Sequence, residues 1–221
     1  MGYLFMEMNS SYRVFDKYYW KYENWYLRNY NIMKAERDCI KSIGLYGKIL
    51  DVGVGTGILT YGLSKSMVGV DPSEKMLLYA SRRGFLTINS FGEDLPFIDN
   101  YFDSVIVVVT ICFVNDPLKM LSEINRVLKK NGTLVTCVVP KESSWGIYYR
   151  WLKNSGKSLF YKYARFYTIQ ELYYMLSITG FIVKDTCSTL LYPPSTPPTY
   201  EVPVKSLVPD SGFVCIRAEK K

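Results

Sequence analysis

The sequence predicts an α/β fold built on a seven-stranded, mostly parallel sheet with helices on both faces. From residue 48 onward, short apolar runs alternate with amphipathic segments, which is typical of successive β-α-β units. The run at 102–110 contains five consecutive Val and Ile residues, as expected for a central strand that is covered on both faces. These two patterns favour a mostly parallel sheet over an all-helical or all-β architecture.

The first half of the chain follows this alternation regularly. Strands are predicted at residues 48–53, 67–71, 84–89, 102–110 and 132–139. Helices are predicted at 58–65, 73–83 and 116–130. Ser73 is the expected N-cap of the second helix, and Asp116 followed by Pro117 is the expected start of the third.

The pattern changes after the fifth strand. An insertion rich in aromatic and basic residues precedes a helix at 168–180, in which Thr168 and Glu171 form a capping box. Beyond it are expected a sixth strand at 181–188, a proline-rich loop at 192–209 and a seventh, antiparallel strand at 211–220. We expect a single domain over 1–221, divided into a helical cap at 10–43, a first half at 44–139, the insertion at 140–167 and a C-terminal half at 168–221.

Composition excludes several kinds of chemistry. The 221 residues contain no histidine, which excludes Ser-His and Cys-His nucleophiles and every His-ligated metal site, so no metal is expected. The five cysteines form no C-x-x-C pair and suggest no disulfide framework. No apolar run approaches the ~18 residues of a membrane span. Residues 1–13 lack the features of a secretory signal, so we expect a cytoplasmic protein.

A glycine-rich turn follows the first predicted strand. Residues 49–57 are ILDVGVGTG, and this turn is expected to present backbone N–H groups to a ligand at the sheet edge. The G-x-G-x-x-G fingerprint of dinucleotide-binding folds is not met, because Ile58 and Thr60 stand where its third glycine is required. The remaining pattern is D-x-G-x-G-x-G.

Three further blocks follow this motif in order, and with it they cover residues 49–139. They are VGVDPSEKML, EDLPFIDNYFDSVIVV and NDPLKMLSEINRVLKKNGTLV. The four blocks resemble class I S-adenosylmethionine-dependent methyltransferases, in particular the ubiquinone and menaquinone biosynthesis subgroup with a type 11 methyltransferase domain. The resemblance implies a Rossmann-like fold, S-adenosylmethionine as cofactor, S-adenosylhomocysteine as product and a small-molecule acceptor. It makes 44–139 the cofactor-binding half and 168–221 the substrate-side half.

The resemblance also implies a set of cofactor contacts. They are Asp51, Gly53, Gly55, Gly57, Asp71, Pro72, Met76, Gly92, Glu93, Asp94, Leu95 and Thr110. The glycines would let the backbone approach the methionine part, while Asp51 helps to hold its ammonium group. Asp71, at a strand end, would accept hydrogen bonds from both ribose hydroxyls. Met76 would pack on the adenine.

Two positions depart from the family pattern. Phe91 stands where the family often has an aspartate that accepts the adenine amino group, so packing or backbone groups must replace that contact. Residues 110–114 are TICFV where relatives commonly have histidines, which leaves Cys112 and Phe113 on the acceptor side.

Two aromatic segments, 12–30 and 143–167, are expected to close a lid over the donor methyl group. Residues expected on the acceptor side are Tyr18, Tyr22, Tyr26, Cys112, Phe113, Tyr148 and Arg165. Methyl transfer is an in-line displacement that alignment in a dry pocket accelerates. Without histidine, a base would have to be Tyr, Asp or Glu, and an acceptor that is already nucleophilic needs none.

Two alternative functions stay open at this point. The net charge of +7 and the basic, aromatic insertion favour a nucleic-acid methyltransferase. However, the Asn-Pro-Pro-Tyr or Asp-Pro-Pro-Tyr tetrapeptide of amino-methylating DNA enzymes is absent from the sequence. A cofactor-binding scaffold without catalysis is the other alternative.

Overall fold

The computed structural model describes residues 11–65 and 67–221. The first residue of the predicted helical cap, and most of the segment for which no secretory signal is predicted, lie outside the described residues.

The described residues form six α-helices and seven strands. The helices are α1 (Ser11–Arg28), α2 (Tyr30–Ser42), α3 (Glu74–Arg82), α4 (Pro117–Val127), α5 (Ser144–Asn154) and α6 (Ile169–Ile178). The strands are β1 (Ile49–Val52), β2 (Met67–Asp71), β3 (Phe85–Asn89), β4 (Phe102–Val108), β5 (Leu128–Val138), β6 (Phe181–Thr189) and β7 (Phe213–Lys220).

The strands form one seven-stranded sheet in the order β3-β2-β1-β4-β5-β7-β6. All pairs from β3 to β5 are parallel, while β7 runs antiparallel to both of its neighbours. The predicted fold class, including the antiparallel last strand, is therefore confirmed. The strand order reverses at β1 and β4, and in such sheets ligands bind at the carboxyl ends of the strands beside this point.

Helices cover both faces of the sheet. Along β4, Val105 and Val107 join the core beneath α4 and α6, whereas Ile106 joins the core beneath α2 and α3. This alternation is the two-residue period of a strand that is buried on both sides. It fixes the register of β4 and hence the position of its carboxyl end.

The predicted helix at 58–65 is wrong. These residues form turns and bends, and among the described residues one i→i−4 backbone bond is found near their start, from Tyr61 N to Gly57 O. Gly62 has a φ of 76°, which a right-handed helix cannot contain. The glycine-rich turn therefore opens into a compact loop, and no helix N-terminus faces the sheet edge there.

The helix predicted at 116–130 begins as expected but ends early. The Asp116 side chain caps it, accepting from Lys119 N at 2.9 Å, and Pro117 occupies the first turn. Leu128 already has extended backbone angles and pairs with Phe102, so the fifth strand starts there and not at residue 132. The apolar side chain of Leu128 fits a buried strand as well as a helix, and sheet pairing decides between them.

The predicted absence of disulfides is also wrong. Cys137 and Cys215 face each other across β5 and β7 and form a disulfide. They are 78 residues apart in sequence, so their spacing carries no signal of pairing. Cys39, Cys112 and Cys187 are free and buried.

The aromatic and basic insertion is ordered around a helix. It contains α5 and a single 3₁₀ turn, Tyr161–Tyr163, which pack against each other. Ser143 caps α5 by accepting from Gly146 N at 3.1 Å. The insertion thereby places aromatic side chains above the carboxyl edge of the sheet.

Thr168→Ala is expected to lower the free energy of unfolding by about 1 kcal/mol, the usual effect of losing an N-cap. Thr168 Oγ1 accepts from Glu171 N at 3.1 Å, and Thr168 N donates to Glu171 Oε2 at 2.7 Å. Thr168→Ser retains the cap and should be close to the native protein in urea unfolding. Equal losses in the two variants would contradict a capping role.

Candidate active site

The carboxyl ends of β1 and β2 are joined by hydrogen bonds around Asp71. Gly55 N donates to Asp71 Oδ2 at 2.9 Å, and Ser73 N donates to Asp71 Oδ1 at 2.9 Å. Gly53 N donates to Val70 O at 2.8 Å. One carboxylate thus holds the glycine-rich turn and the start of α3 in a fixed relation.

Two acidic groups lie at this edge, of which Asp51 is buried and Asp71 is half-buried. Burial raises the pKa of Asp71 to about 6, although the backbone donors at Ser73 and Gly55 partly oppose it. Asp51 accepts from Thr60 Oγ1 at 2.5 Å, and burial raises its pKa to about 7. Asp51 Oδ1 has no hydrogen-bond partner among the described residues. The turn therefore offers a desolvated carboxyl group with spare acceptor capacity.

Glycine is required at two positions of the turn. Gly53 has a φ of 73°, and a Cβ atom there would collide with the Thr110 side chain. Gly55 has a φ of 53°, and the nearest atom to a Cβ built on it is Tyr22 Cε1 at 4.0 Å. Gly55 therefore leaves free space between the backbone and α1, which a bound molecule can occupy.

One cavity of about 620 Å³ extends from this turn to an aromatic chamber. At one end its wall includes Gly55, Asp71 and Met76. At the other end the wall is formed by Tyr22, Tyr26, Trp145, Tyr149 and Tyr161, which we call the aromatic chamber. A volume of this size is typical of small-molecule sites, for which about 300 to 1,000 Å³ is usual.

The aromatic chamber is closed by contacts between α1 and the insertion. Phe15 of α1 stacks on Phe160 with ring centroids 4.8 Å apart. Tyr149 of α5 stacks on Tyr161 at 4.2 Å. The two segments predicted to form a lid therefore meet over the sheet edge.

Polar contacts hold α1 against the start of α3 and the glycine-rich turn. Asp16 Oδ1 accepts from Ser73 Oγ at 2.9 Å and from Lys75 N at 3.2 Å. Glu23, which is buried, forms an ion pair with Arg83. Arg83 Nη1 also donates to Thr56 O in the glycine-rich turn at 2.8 Å. Helix α1 and the glycine-rich turn are thus connected through the guanidinium group of Arg83.

Comparison with known proteins agrees with this geometry. A protein-family model described as "Methyltransferase domain" matches residues 50–136. A solved S-adenosylmethionine-dependent methyltransferase of Thermotoga maritima, described as a possible histamine N-methyltransferase, is 36% identical. The similarity covers 95% of this chain and 100% of that one, with a TM-score of 0.88. This chain belongs to the S-adenosylmethionine-dependent methyltransferases.

Other relatives of this methyltransferase differ in how much they share with it. An uncharacterized protein of Methanocaldococcus jannaschii is 36% identical over 207 residues, which are 94% of this chain and 98% of that protein. A demethylmenaquinone methyltransferase of Corynebacterium kroppenstedtii is 38% identical over 93 residues, which are 41% of each chain. The full-length similarity is therefore to proteins other than the menaquinone enzyme.

The methyltransferase cavity brings together most, but not all, of the residues that the sequence resemblance suggested for the cofactor. Those in its wall are Gly53, Gly55, Asp71, Pro72, Met76, Gly92, Glu93 and Thr110. Asp51 and Gly57 lie behind the turn, and a Cβ on Gly57 would meet the Phe85 ring. Asp94 is exposed, and Leu95 is buried away from the wall.

Of the residues suggested for the acceptor side, some lie in the cavity wall and others lie outside it. Those in the wall are Tyr22, Tyr26, Phe113 and Tyr148. Tyr18 lines a second cavity on the outer side of α1. Cys112 Sγ donates to Val109 O at 2.9 Å and lies outside the wall. Arg165 is exposed and donates to Asn115 O at 3.2 Å.

Sequence reasoning missed Glu36, which lies on α2 one turn after Ile32, a residue of the cavity wall. Its side chain is 5% exposed, and Glu36 Oε2 has no hydrogen-bond partner among the described residues. Burial raises its pKa to about 8, and the Tyr26 hydroxyl partly opposes this. The available signal was its position four residues after Ile32 and four before Ile40, on the apolar face of the helix.

Neither a membrane span nor a metal cluster is found in the part of the chain that the structure describes. No helix there is long and apolar enough to cross a bilayer. No group of three or more Cys, Asp or Glu side chains there is arranged to hold a metal ion.

Glu36→Gln is expected to raise the melting temperature more at pH 8 than at pH 5. Unfolded glutamate ionises near pH ~4.3, whereas folded Glu36 keeps its proton up to a pKa of about 8. Between these values the folded state binds the extra proton, so the native protein loses stability as the pH rises. Glutamine does not titrate and escapes this loss.

Thermal melts at the two pH values test this expectation. Glu74→Gln, at an exposed position, serves as the control and should shift the melting temperature equally at both. A Glu36→Gln effect that is independent of pH would show that Glu36 is not protonated in the folded protein.

Proposed function

We propose that this methyltransferase transfers a methyl group from S-adenosylmethionine to a small-molecule acceptor held in the aromatic chamber. The observation that carries the proposal is the continuity of the cavity, which joins the glycine-rich turn to the chamber without a dividing wall. A donor at one end and an acceptor at the other would lie within the same cavity. Such proximity supplies a large part of the acceleration of a displacement reaction.

The end of the cavity beside Gly55, Asp71 and Met76, which we call the cofactor end, fits the chemistry of S-adenosylmethionine. Asp71 has both oxygens near the cavity, and each retains a lone pair after accepting from the backbone. It can therefore accept the two ribose hydroxyls. Gly55 leaves room for the methionine part, and Asp51 supplies a carboxyl group behind the turn for the ammonium.

The adenine is assigned to the wall around Met76 and Phe91. Phe91 lines the cavity, and its ring meets the Tyr12 ring edge-on with centroids 5.6 Å apart. Phenylalanine cannot accept from the adenine amino group, so packing between these side chains holds the base. Glu93 also lines the cavity, but its Oε1 already accepts from Asn115 N at 2.9 Å.

The aromatic chamber is the acceptor end of the cavity. Its wall is mostly apolar and carries the hydroxyl groups of its tyrosines. When bound, S-adenosylmethionine supplies a methyl group on a positively charged sulfur, which an acceptor nucleophile displaces in line. Tyr22 lies above Gly55 and is the side chain best placed between the two ends. Burial raises the pKa values of Tyr22, Tyr149 and Tyr161, so these hydroxyls stay neutral and orient the acceptor by hydrogen bonding.

The relatives support a small acceptor. The Thermotoga maritima protein is described as a possible histamine N-methyltransferase, and the Corynebacterium kroppenstedtii protein is a demethylmenaquinone methyltransferase. Both names refer to small organic acceptors, and the first of them alone specifies the atom, a nitrogen, that receives the methyl group. These names therefore leave open whether a nitrogen, an oxygen or a carbon nucleophile of this protein's acceptor receives the methyl group.

A second candidate function is methylation of a nucleic acid. A groove of about 590 Å³ between α1 and the insertion is lined by Arg13, Lys17, Lys157 and Lys162. Such a basic groove suits a phosphate backbone. Binding of RNA or DNA that weakens steeply with salt, together with labelling of that polymer, would favour this candidate over the small acceptor.

The proposal is tested with S-adenosylmethionine that carries a radiolabelled methyl group. Incubation with small-molecule extracts and with purified RNA and DNA is expected to label a small molecule. Asp71→Ala should weaken S-adenosylmethionine binding at least tenfold in calorimetry, because two hydrogen bonds to a charged acceptor are worth roughly 1 to 3 kcal/mol each.

Glu74→Ala is the matched control, since this exposed carboxylate lies three residues from Asp71. It should bind S-adenosylmethionine within twofold of the native protein. Binding without labelling of any acceptor would favour a scaffold over an enzyme. Absence of S-adenosylmethionine binding in the native protein would contradict the proposal as a whole.

A further inference from the structure

Glu36 is an acidic group without a cationic partner beside the aromatic chamber. It is buried, Glu36 Oε2 has no partner, and no ion pair of the described residues includes it. Burial keeps this carboxyl group protonated and neutral, and its ionised form becomes favourable only when a positive charge is placed nearby. Asp51, the other buried acid with an orphaned oxygen, is explained by the cofactor's ammonium, but Glu36 is not.

The side chains around Glu36 connect it to the acceptor end of the cavity. The Tyr26 ring contacts the Tyr22 ring with centroids 5.2 Å apart, and the Tyr26 hydroxyl partly opposes the raised pKa of Glu36. Tyr22 in turn lies above Gly55 in the glycine-rich turn. Tyr26 and Tyr22 therefore lie between Glu36 and the junction of the cofactor end with the aromatic chamber.

The aromatic chamber itself favours a cation. Tyr26, Tyr149 and Tyr161 face the cavity, and the negative charge of an ionised Glu36 would act on all three. Aromatic faces attract ammonium groups by about 0.5 to 2 kcal/mol, and more strongly when water is excluded. A ring of aromatic side chains with one buried carboxyl behind it is a recognition site for an organic cation.

We propose that the acceptor is a small organic amine that enters as an ammonium, and that Glu36 is the positioning residue that selects it through Tyr26. This inference rests on the proposed function and specifies its acceptor class. The proton balance is simple. In the free protein the Glu36 carboxyl group is neutral, and it gives its proton to solvent when the ammonium binds. Before methyl transfer the ammonium passes one proton to the Glu36 carboxylate, which becomes neutral again, and the nitrogen recovers the electron pair it needs as a nucleophile.

The ionisation of the surrounding groups is consistent with this role. The pKa of Glu36 is raised by burial to about 8, which is closer to that of an amine than an ordinary glutamate would be. The other titratable groups that face it are Tyr22 and Tyr26 of α1, Tyr149 of α5, Tyr161, Tyr192 and Cys39. All of them have raised pKa values and stay neutral near pH 7. Glu36 is therefore the group among them that can change charge.

The test compares amines with alcohols of the same shape. Calorimetry in saturating S-adenosylhomocysteine measures the affinity of the holoprotein for butylamine, phenethylamine and 4-phenylbutylamine, each against its hydroxyl analogue. The native protein is expected to bind at least one amine tenfold or more tightly than its alcohol. In Glu36→Gln this preference should fall to within about twofold, while the affinity for S-adenosylhomocysteine stays within twofold.

Three further variants separate a charge effect from a structural one. Glu36→Asp should restore part of the amine preference, since it returns the carboxyl group. Tyr26→Phe keeps the ring but removes the hydroxyl, and it should reduce the preference without affecting S-adenosylhomocysteine. Glu74→Gln removes an exposed charge and should leave the preference unchanged.

The outcomes distinguish this inference from the proposed function. If S-adenosylhomocysteine binds but none of the three amines exceeds its alcohol, the amine inference is overturned and the proposed function stands. If Glu36→Gln retains the tenfold preference, Glu36 does not select the acceptor. Failure of the native protein to bind S-adenosylhomocysteine would instead contradict the proposed function.

Discussion

The geometry of the candidate site depends on the ion pair between Glu23 and Arg83. Glu23 is a buried acid of α1. Its partner Arg83 follows α3 and also donates to Thr56 O in the glycine-rich turn. A buried pair of this kind is strongly destabilised if one member is removed, because the other charge is left uncompensated. Asp16 of α1 also accepts a hydrogen bond from Ser73 Oγ at the start of α3. Together the two contacts fix α1 across the carboxyl edge of the sheet. The cavity exists because α1 is held there.

Several groups along this cavity are kept in states that are unfavourable for folding. Asp51 and Glu36 are buried acids and Asp71 is a half-buried one, and all three have raised pKa values. Val109 at the end of β4 has a φ of 54°, which is rare for a β-branched residue. Such strain and unpaired polarity concentrate at functional sites, where a ligand supplies the missing partner. The cofactor end and the aromatic chamber share this property, which links fold energetics to the proposed reaction.

The sequence predicts the sheet and its caps well because those signals are local. Ser73, Asp116 and Thr168 each cap the helix that they were expected to cap, since an N-cap needs only its own first turn. The compact loop after Gly57 was mistaken for a helix because apolar spacing over so few residues does not distinguish the two. Long-range features gave no local signal. The Cys137–Cys215 disulfide and the position of Glu36 behind Tyr26 both depend on how distant elements pack.

The most direct test of the account is a crystal structure of the protein with S-adenosylhomocysteine. The central claim is that one cavity serves both donor and acceptor. We expect the ribose hydroxyls of S-adenosylhomocysteine to contact Asp71. Its sulfur should lie beside Tyr22, with the open side toward Tyr26 and Tyr149. A sulfur that faces the basic groove of Arg13 and Lys162, or solvent, would contradict the claim that the aromatic chamber receives the methyl acceptor.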